Sequence, residues 1–185
     1  MRDSFLDPPK RKQNRLQGYD YGRPGYYFIT VCAGKRAEFF WEASSMRCVG
    51  ADIIRPFSPR LSQYGVYVEK AIQDIPQHYT GVKVDKYVVM PNHIHLILTL
   101  AWRSGRMISA PTKEIPIIVG QMKRVVSKKA GFPIWQKGYH DHIIRNEADY
   151  RRIWEYIDTN PAKWREDCYY EEGKRSMAKK GKKPM

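Results

Sequence analysis

The chain has 185 residues, of which 42% are hydrophobic and 13% aromatic. That composition suits one packed domain with arms and excludes wholesale disorder, because disordered chains are poor in aromatics. Lys plus Arg number 33 against 19 Asp plus Glu, a formal charge of +14, which favours a polyanionic partner, nucleic acid before an anionic membrane surface.

Residues 1–25 are polar and basic and read as an N-terminal arm. Residues 26–31 (YYFITV) are aromatic and β-branched and predict a strand. Residues 42–60 hold Gly50, Pro56 and Pro59 and predict a loop. Over residues 58–79, Leu61, Tyr64, Val68, Ala71, Ile72 and Ile75 recur near helical spacing. Residues 82–90 (VKVDKYVVM) predict a strand, Pro91-Asn92 a turn, and residues 93–100 (HIHLILTL) the second strand of a hairpin. A polar loop follows over 101–112. Residues 115–129 predict a helix that stops before Gly131. Residues 134–145 predict an irregular strand. Asn146 can cap a last helix from Glu147 to about Asp158, ended by the Asn160-Pro161 step. Residues 167–185 read as a basic, unfolded tail, with six basic residues and no acid from Gly173 onward.

The order β-α-β-β-α-β-α predicts an α+β chain: a ferredoxin-like split βαβ antiparallel sheet with an added C-terminal helix. Two helices should cover one sheet face, leaving the other for a site or for the last helix. That plan serves many unrelated functions. No apolar run approaches the roughly 18 residues of a membrane span, and the first residues (MRDSFLDPPKRKQNR) lack the apolar core of a secretory signal. Cys32, Cys48 and Cys168 lie far apart. Neither a disulfide scaffold nor a Cys-based zinc site is expected, and a reducing cytoplasm fits best.

The chemistry starts at His93-Ile94-His95. Side chains alternate along a strand. Ile94, Leu96, Leu98 and Leu100 should enter the core, while His93 and His95 share the opposite face, where two neutral imidazoles can hold one metal ion. For a His-x-His taken alone, two hydrogen-bonded, half-exposed histidines are the favoured account. A third alternating histidine, as in histidine-triad nucleotide hydrolases, is missing because that position is Ile97.

On the last helix, Tyr150, Ile153, Trp154 and Ile157 form one apolar stripe. Tyr156 lies about 120° from Tyr150 around the helix and is not needed for that packing. Asn160 stacks one turn after it and Arg152 one turn before it. A boundary tyrosine with polar neighbours is the plainer account of that row taken alone.

Together these runs are more specific. Residues 88–98 (VVMPNHIHLIL) resemble the His-hydrophobic-His motif of the HUH endonuclease superfamily. More narrowly, they resemble the single-tyrosine transposases, above all the REP-associated tyrosine transposases. Residues 134–136 (IWQ), 141–146 (DHIIRN) and 156–161 (YIDTNP) match as well. The resemblance covers residues 26–166, which would form the HUH domain between the two arms.

The resemblance implies that His93 and His95 bind a divalent metal, Mg²⁺ or Mn²⁺, with Asn160 as a third, amide ligand. It implies that Tyr156, on the last helix, is the nucleophile and that the substrate is single-stranded DNA beside a hairpin. Relatives often carry Gln at the third position, so Asn160 fits the REP-associated subgroup. Tyr150 is the rival nucleophile, disfavoured by its place on the stripe, and Tyr139 lies further from the motif. Attack by a tyrosine would give a 5′-phosphotyrosine and a free 3′-hydroxyl, reversible because a phosphoester is kept. A phenol is a weak nucleophile near neutral pH and needs a base that the sequence does not identify. Histidine ligation is unusual for Mg²⁺, which points to Mn²⁺ as the better ion in vitro.

Candidate DNA contacts are Lys123, Arg124, Lys128 and Lys129 on the second helix, with Arg145, Arg152 and His142 nearer the motif. Tyr26, Tyr27, Trp102 and Trp135 are candidates for stacking on bases. His140 and His142 form a second His-x-His without a compact third ligand. The implied setting is the nucleoid of a bacterial cytoplasm, as monomer or homodimer. A non-catalytic nucleic-acid-binding module on the same plan explains the charge equally well. It leaves the matched histidines, tyrosine and asparagine without a reason.

Overall fold

The structure is a computed structural model that describes residues 18–47, 59–101 and 114–170. Trp102, Cys48, most of the N-terminal arm and the lysines of the tail lie outside the described residues. Strand β1 spans Gly25–Cys32 and leads through a short turn to helix α1, Ala43–Arg47. Helix α2, Gln63–Gln73, is followed by the single turn α3, Ile75–His78. Strands β2, Val82–Val89, and β3, His93–Leu100, form the hairpin. Helix α4 is Glu114–Ala130, strand β4 is His140–Ile144, and helix α5 is Glu147–Thr159, continued by a 3₁₀ segment, Asn160–Glu166.

The four strands form one antiparallel sheet in the order β2-β3-β1-β4. This is the expected ferredoxin-like α+β plan, and α5 is the added helix that carries Tyr156. Alternation along β3 divides the molecule. Ile94, Leu96, Leu98 and Leu100 pack with Val68 and Ile72 of α2 and with Ile115, Ile118 and Val119 of α4. Ile97, on the opposite face, packs with Ile144 of β4 and with Ile153 and Ile157 of α5. Two helices therefore cover one face and α5 covers the other. No helix among the described residues is long and apolar enough to cross a membrane.

Several elements differ from the sequence expectation. The helix expected over 58–79 begins only at Gln63, with Ser62 as its N-cap accepting from the Gly65 N–H. It breaks at Asp74 because Pro76 has no N–H to continue the ladder. The irregular strand expected over 134–145 is an isolated bridge between Ala33 and Trp135, then a turn through Gly138 at φ +77°, then β4. Asn146 caps α5 as expected, accepting from the Asp149 N–H. The stripe on α5 is narrower than expected. Ile153 and Ile157 are buried, but Trp154 is 37% exposed, because it lies about 100° around from Ile153. Packing also reaches past residues 26–166: Tyr21 is buried, and Tyr19, Tyr169 and Tyr170 lie against the core.

The first turn of α2 approaches the β1–α1 connection closely. A Cβ on Gly65 would lie 2.1 Å from the carbonyl oxygen of Phe40. That oxygen already accepts from the Ser62 N–H at 2.9 Å. Gly120, on α4, faces open space. Gly65→Ala should therefore destabilise the fold by about 1–3 kcal/mol despite its better helix propensity, while Gly120→Ala should stabilise it by about 0.5–1 kcal/mol. Urea unfolding of the two variants checks this; equal and opposite signs to these would remove the close approach as a constraint.

Candidate active site

The β1–β3 register sets His95 opposite Thr30 and His93 opposite Cys32. His93 and His95 share the face of the sheet beneath α5, as the alternation predicts, but both are buried rather than half-exposed. Their Nε2 atoms lie 2.9 Å apart. Each Nδ1 is held from behind. His95 Nδ1 lies 2.8 Å from Thr30 Oγ1, and His93 Nδ1 lies 2.8 Å from Asn92 Oδ1. The Asn92 amide is itself fixed, since its Nδ2 donates to the carbonyls of Tyr169 and Arg36. Its Oδ1 can then only accept, so His93 carries its proton on Nδ1 and presents a lone pair at Nε2.

Burial lowers the pKa of both imidazoles, His93 well below its ordinary range and His95 to about 3. The pair is neutral at pH 7, the form that ligates metal.

Helix α5 brings Tyr156 to this pair. Its hydroxyl lies 3.2 Å from His95 Nε2 and donates to Asp167 Oδ2 at 3.3 Å. The ring contacts Phe28 and His95 edge-on and is still 39% exposed. Burial, then the charge of Asp167, pushes the phenol up from its ordinary value. The rivals are placed differently. Tyr139 is buried among core residues. The Tyr150 hydroxyl donates to Asp85, and burial raises its pKa to about 12.

Asn160, one turn beyond Tyr156, is buried, and its amide nitrogen has no hydrogen-bond partner among the described residues. The same side chain faces the Tyr156 hydroxyl, whose pKa it lowers slightly against the upward push of burial and Asp167. An orphaned buried amide is costly unless something fills its position. Asp167 was not expected. It follows the 3₁₀ segment, and its Oδ2 lies 3.9 Å from His93 Nε2, while Oδ1 accepts from the Tyr169 N–H. His93, His95 and Asp167 together could hold a metal ion. The donor set fits a divalent ion: two ligand atoms about 2.1 Å from one ion at a right angle sit about 3.0 Å apart, close to the observed Nε2 separation.

Thr30, Asn92 and Asp167 are the residues that sequence reasoning missed as parts of the site. Thr30 and Asn92 stand in the matched strand and turn, yet only the register shows which histidine each one holds. Asp167 lies eleven residues after Tyr156 in a stretch read as tail, and no local pattern marks it.

The expected DNA contacts do not form one surface. Lys123, Arg124, Lys128 and Lys129 are on α4, across the sheet from Tyr156. The Lys123 ammonium is taken up by the carbonyls of Gln136 and Gly138, Arg124 reaches Gln121, and Lys129 lies over the Tyr67 ring. Arg152 bonds Asp149 rather than stacking toward Tyr156, and His142 Nε2 meets the same carboxylate at 2.6 Å. Arg145 is exposed at the end of β4. Of the stacking candidates, Tyr27 and Trp135 are buried and Tyr26 is exposed.

No family model matches the chain. It is 33% identical over 178 residues to a Haemophilus influenzae protein of unassigned function, covering 86% of this chain and 93% of that one. A second Haemophilus influenzae protein, named provisionally as a REP-associated tyrosine transposase, is 24% identical over 151 residues, covering 78% of this chain and 74% of its own length. The REP-associated tyrosine transposase of Escherichia coli is 34% identical over 82 residues, 44% of this chain and 45% of that one. Among solved structures, a REP-associated tyrosine transposase bound to a REP hairpin superposes with a TM-score of 0.52 at 22% identity, covering 76% of this chain and 68% of that chain.

The buried histidines give the fold a pH dependence. Their folded pKa values lie below the unfolded value, so the unfolded state binds more protons as pH falls through about 6.5. Stability is full above that pH and is lost below it, toward the folded value of about 3 for His95. With EDTA present, urea unfolding between pH 6.5 and 5 should lose up to about 1.4 kcal/mol per pH unit for each histidine. A His95→Asn variant should show a shallower slope; an unchanged slope would mean that His95 titrates normally in the fold.

Proposed function

We propose that this chain, which belongs to the family of REP-associated tyrosine transposases, cleaves and rejoins single-stranded DNA beside a hairpin, with Tyr156 as the nucleophile. The observation that carries the reading is the convergence of the Tyr156 hydroxyl, two buried histidine Nε2 atoms and the Asp167 carboxylate. The hairpin is suggested by the relative whose structure holds one.

In this reading His93, His95 and Asn160 hold a divalent ion, Mg²⁺ or Mn²⁺, and Asp167 adds a carboxylate oxygen. An anionic oxygen suits these hard cations better than imidazole alone. When bound, the ion supplies positive charge that polarises the phosphoryl oxygens.

The remaining steps belong to the protein. Tyr156 Oη attacks the phosphorus, and the bond from phosphorus to the 3′-oxygen breaks. The phenol proton passes to Asp167 Oδ2, the acceptor that Tyr156 already addresses at 3.3 Å, and a proton returns to the departing 3′-hydroxyl. The 5′-phosphate stays on Tyr156. The reverse sequence rejoins the strand, because the phosphoester is kept. Thr30 and Asn92 orient the two imidazoles, and Phe28 stacks on His95 at 5.2 Å and limits its rotation.

A labelled single-stranded hairpin oligonucleotide, incubated with Mn²⁺ and resolved on a denaturing gel, should give a protein-linked band. Tyr156→Phe should abolish the band and keep DNA binding. Asp167→Asn should slow its formation roughly 10²- to 10⁴-fold, as loss of a general base does. Cut DNA without an adduct would make water the nucleophile, and binding with neither would reduce the chain to a binding module.

A further inference from the structure

The face of the sheet that carries the histidines continues past them. Cross-strand pairing arranges it in rows. His140, Thr30, His95 and Val88 form one row, His142, Phe28, Ile97 and Lys86 the next, and Ile144, Tyr26 and Thr99 the third. The third row lies four residues along β1 from Thr30, about 13 Å. There α5 lays its first turns over the sheet and leaves an open corner of about 190 Å³ lined by Tyr26, Ile144, Arg145, Asn146, Glu147 and Tyr150.

Two aromatic rings make the walls of this corner. Tyr26 and Tyr150 meet at 70° with centroids 5.2 Å apart. Tyr150 is pinned, since its hydroxyl donates to Asp85 on β2. Tyr26 is 44% exposed on a strand whose neighbouring residue, Tyr27, is wholly buried. An exposed tyrosine held edge-on to a fixed one presents a flat apolar face at little entropic cost. The rim carries a guanidinium, an amide and a carboxylate, from Arg145, Asn146 and Glu147. Of these, Asn146 Oδ1 caps the Asp149 N–H and Glu147 accepts from Arg151, while a guanidinium is the group that pairs with phosphates and base edges.

We propose that the Tyr26–Tyr150 corner is a subsite for one unpaired nucleobase of the single strand that flanks the scissile phosphate. The inference rests on the reading of Tyr156 as the nucleophile of single-stranded DNA cleavage. A strand laid along α5 from Tyr156 meets this corner six residues earlier on the same helix, about 9 Å away along the axis. A duplex offers no base face to such a corner, whereas an unpaired base stacks there whatever its identity. The corner therefore selects for single-strandedness, and Arg145 at its rim adds a contact to a phosphate or a base edge.

The test uses the full chain carrying Tyr156→Phe, so that DNA is bound and not cut. Binding is read by fluorescence anisotropy on a hairpin oligonucleotide with single-stranded flanks, unmodified or with one abasic site moved along the flank. One abasic position should weaken binding roughly 5- to 150-fold, the range of one base–aromatic stack. Tyr26→Ala should weaken binding of the unmodified DNA by a similar factor and add nothing when the base is already missing at that position. Tyr26→Phe should bind as the parent does.

A Tyr26→Ala loss that is equal at every abasic position would overturn the subsite and mark a structural defect, as would unchanged binding by Tyr26→Ala. The two readings fail separately. An adduct formed through Tyr156 without any Tyr26 coupling removes only the subsite. Coupling at one abasic position without an adduct keeps the subsite and removes the cleavage.

Discussion

His93 and His95 stand 2.9 Å apart on a sheet face sealed from solvent, and an imidazole in that position is costly both as a cation and as an unpaired polar ring. The surroundings meet this constraint one atom at a time. Thr30 on β1 takes one Nδ1, Asn92 in the hairpin turn takes the other, and the Nε2 atoms are left to face a common point. Asn92 works only because two distant carbonyls, of Arg36 and Tyr169, hold its amide. The turn that carries Arg36 has Lys35 and Arg36 at positive φ, 55° and 52°. That backbone conformation is unfavourable for residues with side chains. It is kept where it delivers the Arg36 carbonyl to Asn92 and sets the guanidinium over the Tyr169 ring.

The apolar contacts of α5 on this face decide where Tyr156 is presented. Ile153 and Ile157 dock on Ile97 and Ile144, beside the histidines on the strand face they share. Docking through that pair turns Tyr156 to the flank, where its hydroxyl reaches His95 while its ring stays partly in solvent. A tyrosine on the stripe itself could do only one of these things. Tyr150 illustrates the other outcome, with its hydroxyl spent on Asp85.

Much of this was legible from residue order. Period-two alternation over 93–100 separated the core residues Ile94, Leu96 and Leu98 from the histidines, and the Asn146 cap marked the start of α5. What stayed hidden needed information that local pattern does not hold. Trp154 read as core by helical spacing, yet it is 37% exposed beside Lys86 and Tyr150, because it lies about 100° around the helix from Ile153. The lysines of α4 read as a phosphate-binding face, yet Lys123 is consumed by the turn before β4. Thr30 depended on strand register. Asp167 depended on the path of the chain after Pro161, which sets Trp164 against His93 and Trp41 and the Tyr169 carbonyl against Asn92.

That return of the chain creates the sharpest electrostatic tension in the molecule. The Asp167 carboxylate is the acceptor for the Tyr156 proton, and its negative charge also raises the phenol pKa, after burial itself. A carboxylate beside a phenol therefore opposes the phenolate it would help to form. The two effects are reconciled only by positive charge arriving at the same point. Neutral, buried histidines do not supply it, and the Arg36 guanidinium, whose charge acts on His93, is held over the Tyr169 ring and does not offset the push of Asp167 on Tyr156. The basic residues of α4 lie across the sheet from this point. A divalent ion between His93, His95, Asn160 and Asp167 would supply that charge where the carboxylate now acts alone. Binding of the ion and activation of Tyr156 would then be one event, and a phenol this close to two imidazoles would stay unreactive until it occurs.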